Sequence, residues 1–316
     1  MTSFFSLLSI IITLFLLMIV GFWCRHRGII DTVASKRLSA LIIQVGQPMM
    51  IIAALNGADY SGEHLRIALI TTVIGFCMHA FMACAAYLIC KKRNNGDRMK
   101  IFEFGLVFAN CGFIGFPIMD SIYGSSIGSF MGAFYVISFH LFLWTWGIVI
   151  LARGRSDIRL TVKKAFLNYG TVPCAIGIVL YLCKPLFTIP APIGSFLSYL
   201  GGLCTPISVL ITGALLATVS IPAMLKNRTH YLHSFIKLIL FPIAICLVAK
   251  LIGLGDRYIL LCTVMAGLPS ASSIVMLSEL YDIEPAYASE TVGLSSLLVT
   301  VSLPLMLLFA QAIIAI

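Results

Sequence analysis

The sequence predicts an all-α integral membrane protein of ten transmembrane helices, in two inverted five-helix repeats with helices four and nine broken and crossing. Three observations predict this class. Of 316 residues, 60% are hydrophobic and only 10% charged, and the mean hydropathy is +1.05, whereas soluble domains carry about 25% charged residues. The apolar residues gather into ten segments, each about long enough to cross roughly 30 Å of hydrocarbon. Two of those segments, at corresponding places in the two halves, are interrupted by Gly and Pro.

The segments run in order as follows. The first, Ser3–Trp23, belongs to a stretch without charge from Thr2 to Cys24; with no basic start ahead of it, it predicts a retained helix and not a cleaved signal peptide. The second, Val33–Leu55, carries Gln44, Gln47 and Pro48. The third, Arg66–Cys90, has His79 near its centre. The fourth, Ile101–Tyr123, is broken. The fifth, Ser129–Leu151, has His140 near its centre. The sixth is Thr171–Phe187. The seventh, Ser195–Ser220, contains Thr205-Pro206, and the eighth, Tyr231–Ile252, contains Pro242. The ninth, Tyr258–Tyr281, is broken around Pro269, and the tenth, Ala288–Ile316, contains Pro304.

Charge sets the orientation. Alternate loops hold Arg25, Arg27, Lys36 and Arg37; Lys91, Lys92, Arg93, Arg98 and Lys100; Arg153, Arg155, Arg159, Lys163 and Lys164; and Lys226, Arg228 and Lys237. Only Arg66, Lys184, Lys250 and Arg257, of 21 basic residues, remain for the other side. Basic loops stay cytoplasmic, so both termini are expected outside the cytoplasmic membrane. Residues 1–151 form the first repeat, 152–168 a cytoplasmic connector and 169–316 the second repeat. Five helices is an odd number, so two consecutive copies face opposite ways. Pro117 and Pro269 then occupy matched places, as do Pro48 and Pro206. Paired interrupted spans are the sequence mark of a secondary-transporter site.

The breaks carry the chemistry. In Asn110-Cys111-Gly112-Phe113-Ile114-Gly115-Phe116-Pro117 three helix-unfriendly residues fall within six positions. Backbone freed in mid-membrane is tolerated only where protein or a watery cavity satisfies it. Gly267-Leu268-Pro269-Ser270-Ala271-Ser272-Ser273 is its partner. Half-helix ends expose partial charge and free N–H groups, which suits an anion such as a carboxylate. The candidate substrate-binding residues are Asn110, Gly112, Gly115, Pro117, Gly267, Pro269, Ser270, Ser272 and Ser273.

Around them lie weaker candidates. His79 and His140 at mid-span, with Glu279 and Thr300, are candidates for proton or sodium coupling; the alternative for each His is a neutral ring in one interhelical hydrogen bond. Asp120 and Glu279 flank the broken elements, and Glu103 and Glu290 also lie within or at the edge of spans; hydration at the interface is the competing role. Gln44 with Gln47, and Thr205 with Ser208, could line a substrate crevice or join helices. Ser289, Gly293, Ser296 and Thr300 share a face of the tenth helix, and Gly124, Gly128 and Gly132 lead into the fifth; both series read as packing.

Function classes narrow accordingly. The ten cysteines lack CxxC spacing and sit mostly in apolar segments, against a disulfide framework or a metal site. No basic run interleaved with aromatics points to nucleic acid. No nucleotide-binding motif is present, so a gradient must drive transport and no cofactor is expected. An intramembrane enzyme would need a third ligand beside His79 and His140; a receptor or sensor would need an output domain. The expected partners are a small organic anion and the lipid bilayer.

The chain resembles the auxin efflux carrier family of secondary transporters, which includes plant PIN-type carriers and bacterial malate and malonate permeases. The resemblance rests on Phe108-Ala109-Asn110 through Pro117 with Tyr123-Gly124, on Gly267-Leu268-Pro269-Ser270-Ala271, and on the Gly293–Pro304 region. It implies the fold of bile-acid–sodium symporters and sodium–proton antiporters. Helices one, two, six and seven would be scaffold, and three to five with eight to ten a transport domain. It also implies elevator-type alternating access, a homodimer through the scaffold, and Asn110, Pro117, Pro269 and Ser270 as crossover residues. The short central connector is similar to that of the bacterial members.

Overall fold

The computed structural model describes residues 4–91, 96–156 and 167–316. Within them the chain is helical, and the sole extended pairing is one isolated antiparallel bridge. The helices are α1 (Phe4–His26), α2 (Thr32–Gly57), α3 (Gly62–Cys90), α4 (Asp97–Val107), α5 (Phe116–Tyr123), α6 (Ser126–Ala152) and α7 (Thr171–Leu182). They continue with α8 (Ala191–Leu216), α9 (Ile221–Lys226), α10 (Arg228–Leu251), α11 (Asp256–Gly267), α12 (Ser273–Leu280) and α13 (Pro285–Ala315). Six of them, α2, α3, α6, α8, α10 and α13, are long and apolar enough to cross a membrane. The fourth and ninth apolar segments are each two short helices, α4 with α5 and α11 with α12. The sixth is only twelve residues of helix, stopping three residues ahead of Pro185.

Two expectations change. Lys237, assigned to a loop by its charge, lies inside α10 and is fully buried. Gln44 and Gln47 do not share an environment: Gln44 is exposed and Gln47 buried, because a π turn over Ile42–Gly46 rotates the chain between them. Lys92, Arg93, Arg159, Lys163 and Lys164, and most of the 152–168 connector, lie outside the described residues.

Three of the four π turns among the described residues share a pattern, the exception being Leu143–Gly147. Turns over Ile42–Gly46, Cys111–Gly115 and Ile236–Leu240 each end one residue ahead of an X-Pro step, at Pro48, Pro117 and Pro242. Proline has no N–H, and its ring collides with the carbonyl four residues back. Widening the helix relieves that collision: the N–H groups of Gln47 and Phe241 reach back five residues, to the carbonyls of Ile42 and Ile236. The helix thus carries proline in mid-span without ending.

The chain forms two compact units. One comprises the described residues of Met1–Gly75, Gly112–Trp144 and Thr161–Ala214. In it α1 and α8 meet backbone to backbone through reciprocal glycines: a Cβ on Gly21 would strike the Leu210 carbonyl, and one on Gly213 the Met18 carbonyl. Gly201 also lies against the Met50 backbone: a Cβ added there would be 2.7 Å from the Met50 Cα. In lipid, where apolar surface alone gives little drive to associate, such approach supplies the packing energy. Gly128 against the Met119 backbone and Gly132 against the Phe116 ring pack α6 onto α5, as the glycine series predicts. Lys184 donates to the Asn56 and Ala58 carbonyls at 2.8 and 2.5 Å, a cation on the negative end of α2.

The other unit comprises the described residues of Phe76–Cys111, Thr145–Leu160 and Leu215–Ile316. Its core holds the stacked rings of Phe104 and Phe108, 4.6 Å apart, with Gly147 pressed against both. Gly293 of α13 abuts Leu216, which agrees with the packing role of its stripe. Glu103, fully buried on α4, is held by both guanidinium nitrogens of Arg153.

Candidate functional site

The second unit contains the joined interruptions. α11 ends at Gly267 because Leu268 precedes a proline and is forced to extended backbone, φ −69° and ψ 152°. α4 ends at Val107 with Phe108 extended, φ −98° and ψ 112°. The two extended pieces pair antiparallel at Ala109 and Ser270. Asn110 N–H donates to the Pro269 carbonyl at 2.8 Å, and Ala271 N–H to the Phe108 carbonyl at 2.9 Å. Proline loses nothing here, since the pairing uses only its carbonyl. Ala109 and Ser270 are the residues whose own polar groups face away from the ladder. Accordingly Ser270 N–H donates to Ser295 Oγ of α13 at 3.2 Å.

The end of α4 is capped from outside its own helix. Ser270 Oγ donates to the Gly105 carbonyl at 3.1 Å, and Lys237 Nζ to the Leu106 carbonyl at 3.0 Å. The lysine places its positive charge on the negative helix end. The Asn110 side chain is buried at the crossing. The hydroxyls of Ser273, at the start of α12, and Ser296, on α13, are buried and without partners among the described residues. Polar groups kept unsatisfied in a dry interior are expensive, and a polar ligand would relieve that cost.

The first unit holds a separate feature, a cavity of about 380 Å³ lined by residues that include Ala53, Pro117, Asp120, Ser126, Ser198 and Thr205. Asp120 is the one charged group in its lining, and the Ser129 hydroxyl lies 2.7 Å from both carboxylate oxygens. Pro117 leaves the carbonyl four residues back, that of Phe113, without its helical donor. Thr205 Oγ1 supplies one at 3.2 Å.

Of the sequence candidates, Asn110, Pro269 and Ser270 are brought together, with Gly267, Ser272 and Ser273 beside them in the chain. Gly112, Gly115 and Pro117 belong to the first unit; a Cβ on Gly112 would lie 3.2 Å from Gln47 Nε2. His79 is buried against the Phe108 ring, centroids 6.4 Å apart. His140 Nε2 lies 3.3 Å from Gln47 Nε2, and its ring fills the space above Gly170. Ser208 and Thr300 hydroxyls donate to carbonyls of their own helices, and Glu279 is exposed. Asn227, part of an Asn-X-Thr sequon, caps α10 by accepting from Thr229 N–H at 3.0 Å.

A family model described as membrane transport protein, that of the auxin efflux carriers, matches residues 6–307. The chain belongs to this family. It is 23% identical over 298 residues to an uncharacterized transporter of Methanothermobacter thermautotrophicus, covering 93% of this chain and 95% of that one. It is also 23% identical over 286 residues to an uncharacterized transporter of Methanocaldococcus jannaschii, covering 88% and 90%. This auxin efflux carrier homologue is therefore a multi-pass membrane transporter.

Sequence reasoning missed two residues at the capped end of α4, Lys237 and His233. A Cβ on Gly105 would lie 2.7 Å from His233 Nε2 and 3.2 Å from Ser270 Oγ. Spacing was the available signal: His230, His233 and Lys237 recur at i, i+3 and i+7 on one helix face.

Proposed function

We propose that the chain is a secondary active transporter of small organic anions, carboxylates foremost, driven by a proton or sodium gradient. The observation that carries this reading is the tied crossing of Asn110 with Pro269. There the buried Ser273 and Ser296 hydroxyls, without partners among the described residues, and a lysine on a helix end belong to one compact unit. A carboxylate takes hydrogen bonds from amide and hydroxyl donors and is favoured by the positive end of a helix. The cavity of the first unit has a different character. Its lining carries one carboxylate and no cation, so Coulomb's law favours a cation or a neutral group there over an anion.

The wider mechanism follows from the order of spans. Two five-span halves of opposite orientation put both termini outside the cytoplasmic membrane. Helices one, two, six and seven of that order serve as scaffold and dimer contact; the remainder slide as an elevator with the crossing and its cargo. The bound anion is exposed first to one side and then to the other.

Uptake of radiolabelled acetate, malonate and malate into proteoliposomes, with imposed proton or sodium gradients, tests the reading. Gradient-driven uptake of one of them, lost in Asn110→Ala or Ser270→Ala while folding is kept, is expected. Undiminished uptake in those variants overturns the site; absence of counterflow for every carboxylate overturns the substrate class.

A further inference from the structure

His233 is fully buried, and neither ring nitrogen has a hydrogen-bond partner among the described residues. One helical turn further along α10, Lys237 is equally buried, and its ammonium caps α4 through the Leu106 carbonyl. Both thus face the end of α4 that adjoins the crossing, with His233 Nε2 and Ser270 Oγ meeting over Gly105. We propose that His233 and Lys237 together form the proton-coupling site of this carrier, His233 taking up one proton when an anion occupies the crossing. The proposal rests on the reading that the crossing binds an anion.

The charges around the pair lead to it. On α10 itself the titratable neighbours of His233 are Lys237 and His230. From α4 it meets the Phe102 ring, 5.0 Å away and edge-on, and Gly105, neither of which carries charge. From the α11 break it meets Ser270. From α13 the acid is Glu290, and that is already committed: His230 Nε2 donates to it at 2.9 Å, and the Tyr287 ring stacks on His230 at 4.5 Å. Beyond Lys237, Cys111 at the break is the titratable group that acts on the lysine. Among the described residues no carboxylate pairs with His233, and the Lys237 ammonium is held by a carbonyl.

Two cations one turn apart in a dry interior repel strongly, so with the crossing empty the pair carries a single charge. Lys237 holds that charge, because its donor already serves the negative end of α4. A carboxylate arriving at the crossing brings the missing counter-charge. The second proton then becomes favourable, and the imidazole, with both nitrogens unengaged, receives it. By linkage the effect is reciprocal: a proton on His233 tightens anion binding as much as the anion favours that proton. Loss of the proton on the far side loosens the anion there.

The test uses the purified full-length chain in weakly buffered detergent with a pH-indicator dye. The probe is whichever of acetate, malonate and malate gives the largest thermal stabilisation. Wild type is expected to absorb one proton per anion bound, and to bind about tenfold more weakly for each unit of rising pH. His233→Gln is expected to bind without proton uptake and with affinity independent of pH. Gly105→Ala, which keeps the imidazole in the chain but forces a shift between its methyl and Nε2, is a second variant should His233→Gln misfold; its proton uptake is expected to fall. Anion binding without proton uptake in wild type, or unchanged uptake in His233→Gln, overturns the coupling site and leaves the anion reading standing. Failure of all three carboxylates to stabilise wild type at any pH removes the anion reading and this proposal with it.

Discussion

Asn110 donates its backbone N–H to the carbonyl of Pro269, 2.8 Å away, and so ties two helix interruptions far apart in the chain into one structure. The bond uses main chain alone, which separates the architectural role of Asn110 from any role of its side chain. Asn110→Ala keeps the bond and should leave thermal stability nearly unchanged while abolishing uptake. Asn110→Pro removes the donor and should lower stability by about 1–3 kcal/mol, the cost of an unsatisfied buried carbonyl. Thermal unfolding in detergent and proteoliposome uptake, run on both variants, distinguish the two roles.

Thr205 makes up for a donor that Pro117 lacks, through its bond to the Phe113 carbonyl. Thr205→Val is nearly isosteric but cannot donate. It is expected to lose about 1 kcal/mol of stability, whereas Thr205→Ser should keep most of it. Equal melting temperatures for the valine and serine variants would refute the role.

Glu103 and Arg153 form an ion pair whose carboxylate is only 1% exposed. Removing one partner strands a charge, at about 3–5 kcal/mol. Arg153→Ala should therefore be more damaging than the double variant Glu103→Leu with Arg153→Leu, in which no charge is stranded. A stability ranking in the reverse order would contradict this.

At the α1–α8 contact, Gly213→Val should be poorly tolerated, because its side chain would occupy the position of the Met18 carbonyl. Overpacking of this kind costs about 1–3 kcal/mol or more. Gly28, with nothing within 4 Å of an added Cβ but φ +72°, provides the contrast: an Asn there should cost little, since Asn tolerates the left-handed region. Melting temperatures of the two variants check the difference.

Asp120→Asn removes the charge from the cavity of the first unit. If the anion binds at the crossing, stabilisation by carboxylates should change less than twofold in this variant while disappearing in Asn110→Ala. Loss of carboxylate stabilisation in both would assign the cavity to the substrate.

The six long apolar helices and both breaks were legible in the sequence, because lipid imposes the first and Gly and Pro announce the second. The polar interior was much less legible. Lys237 was mistaken for a loop residue because charge is the usual mark of a loop, and only the carbonyl at the end of α4 explains its burial. Main-chain acceptors such as Leu106 O and Phe113 O have no letter in the sequence, so the roles of Lys237 and Thr205 could not be read there. Arg153 and Glu103 are fifty residues apart and look unremarkable singly. Gln44 and Gln47 were grouped as joint lining of a crevice, and counting at 3.6 residues per turn, which would put them on one face, fails across a π turn.

Those π turns have an evolutionary corollary. Each holds one residue more than an ordinary turn, and the surplus matches the proline that follows it. Relatives that lack the counterpart of Pro48, Pro117 or Pro242 are expected to lack that extra residue as well. Alignments should then open single-residue gaps in the middle of spans, beside these prolines, where gaps are ordinarily scored as errors.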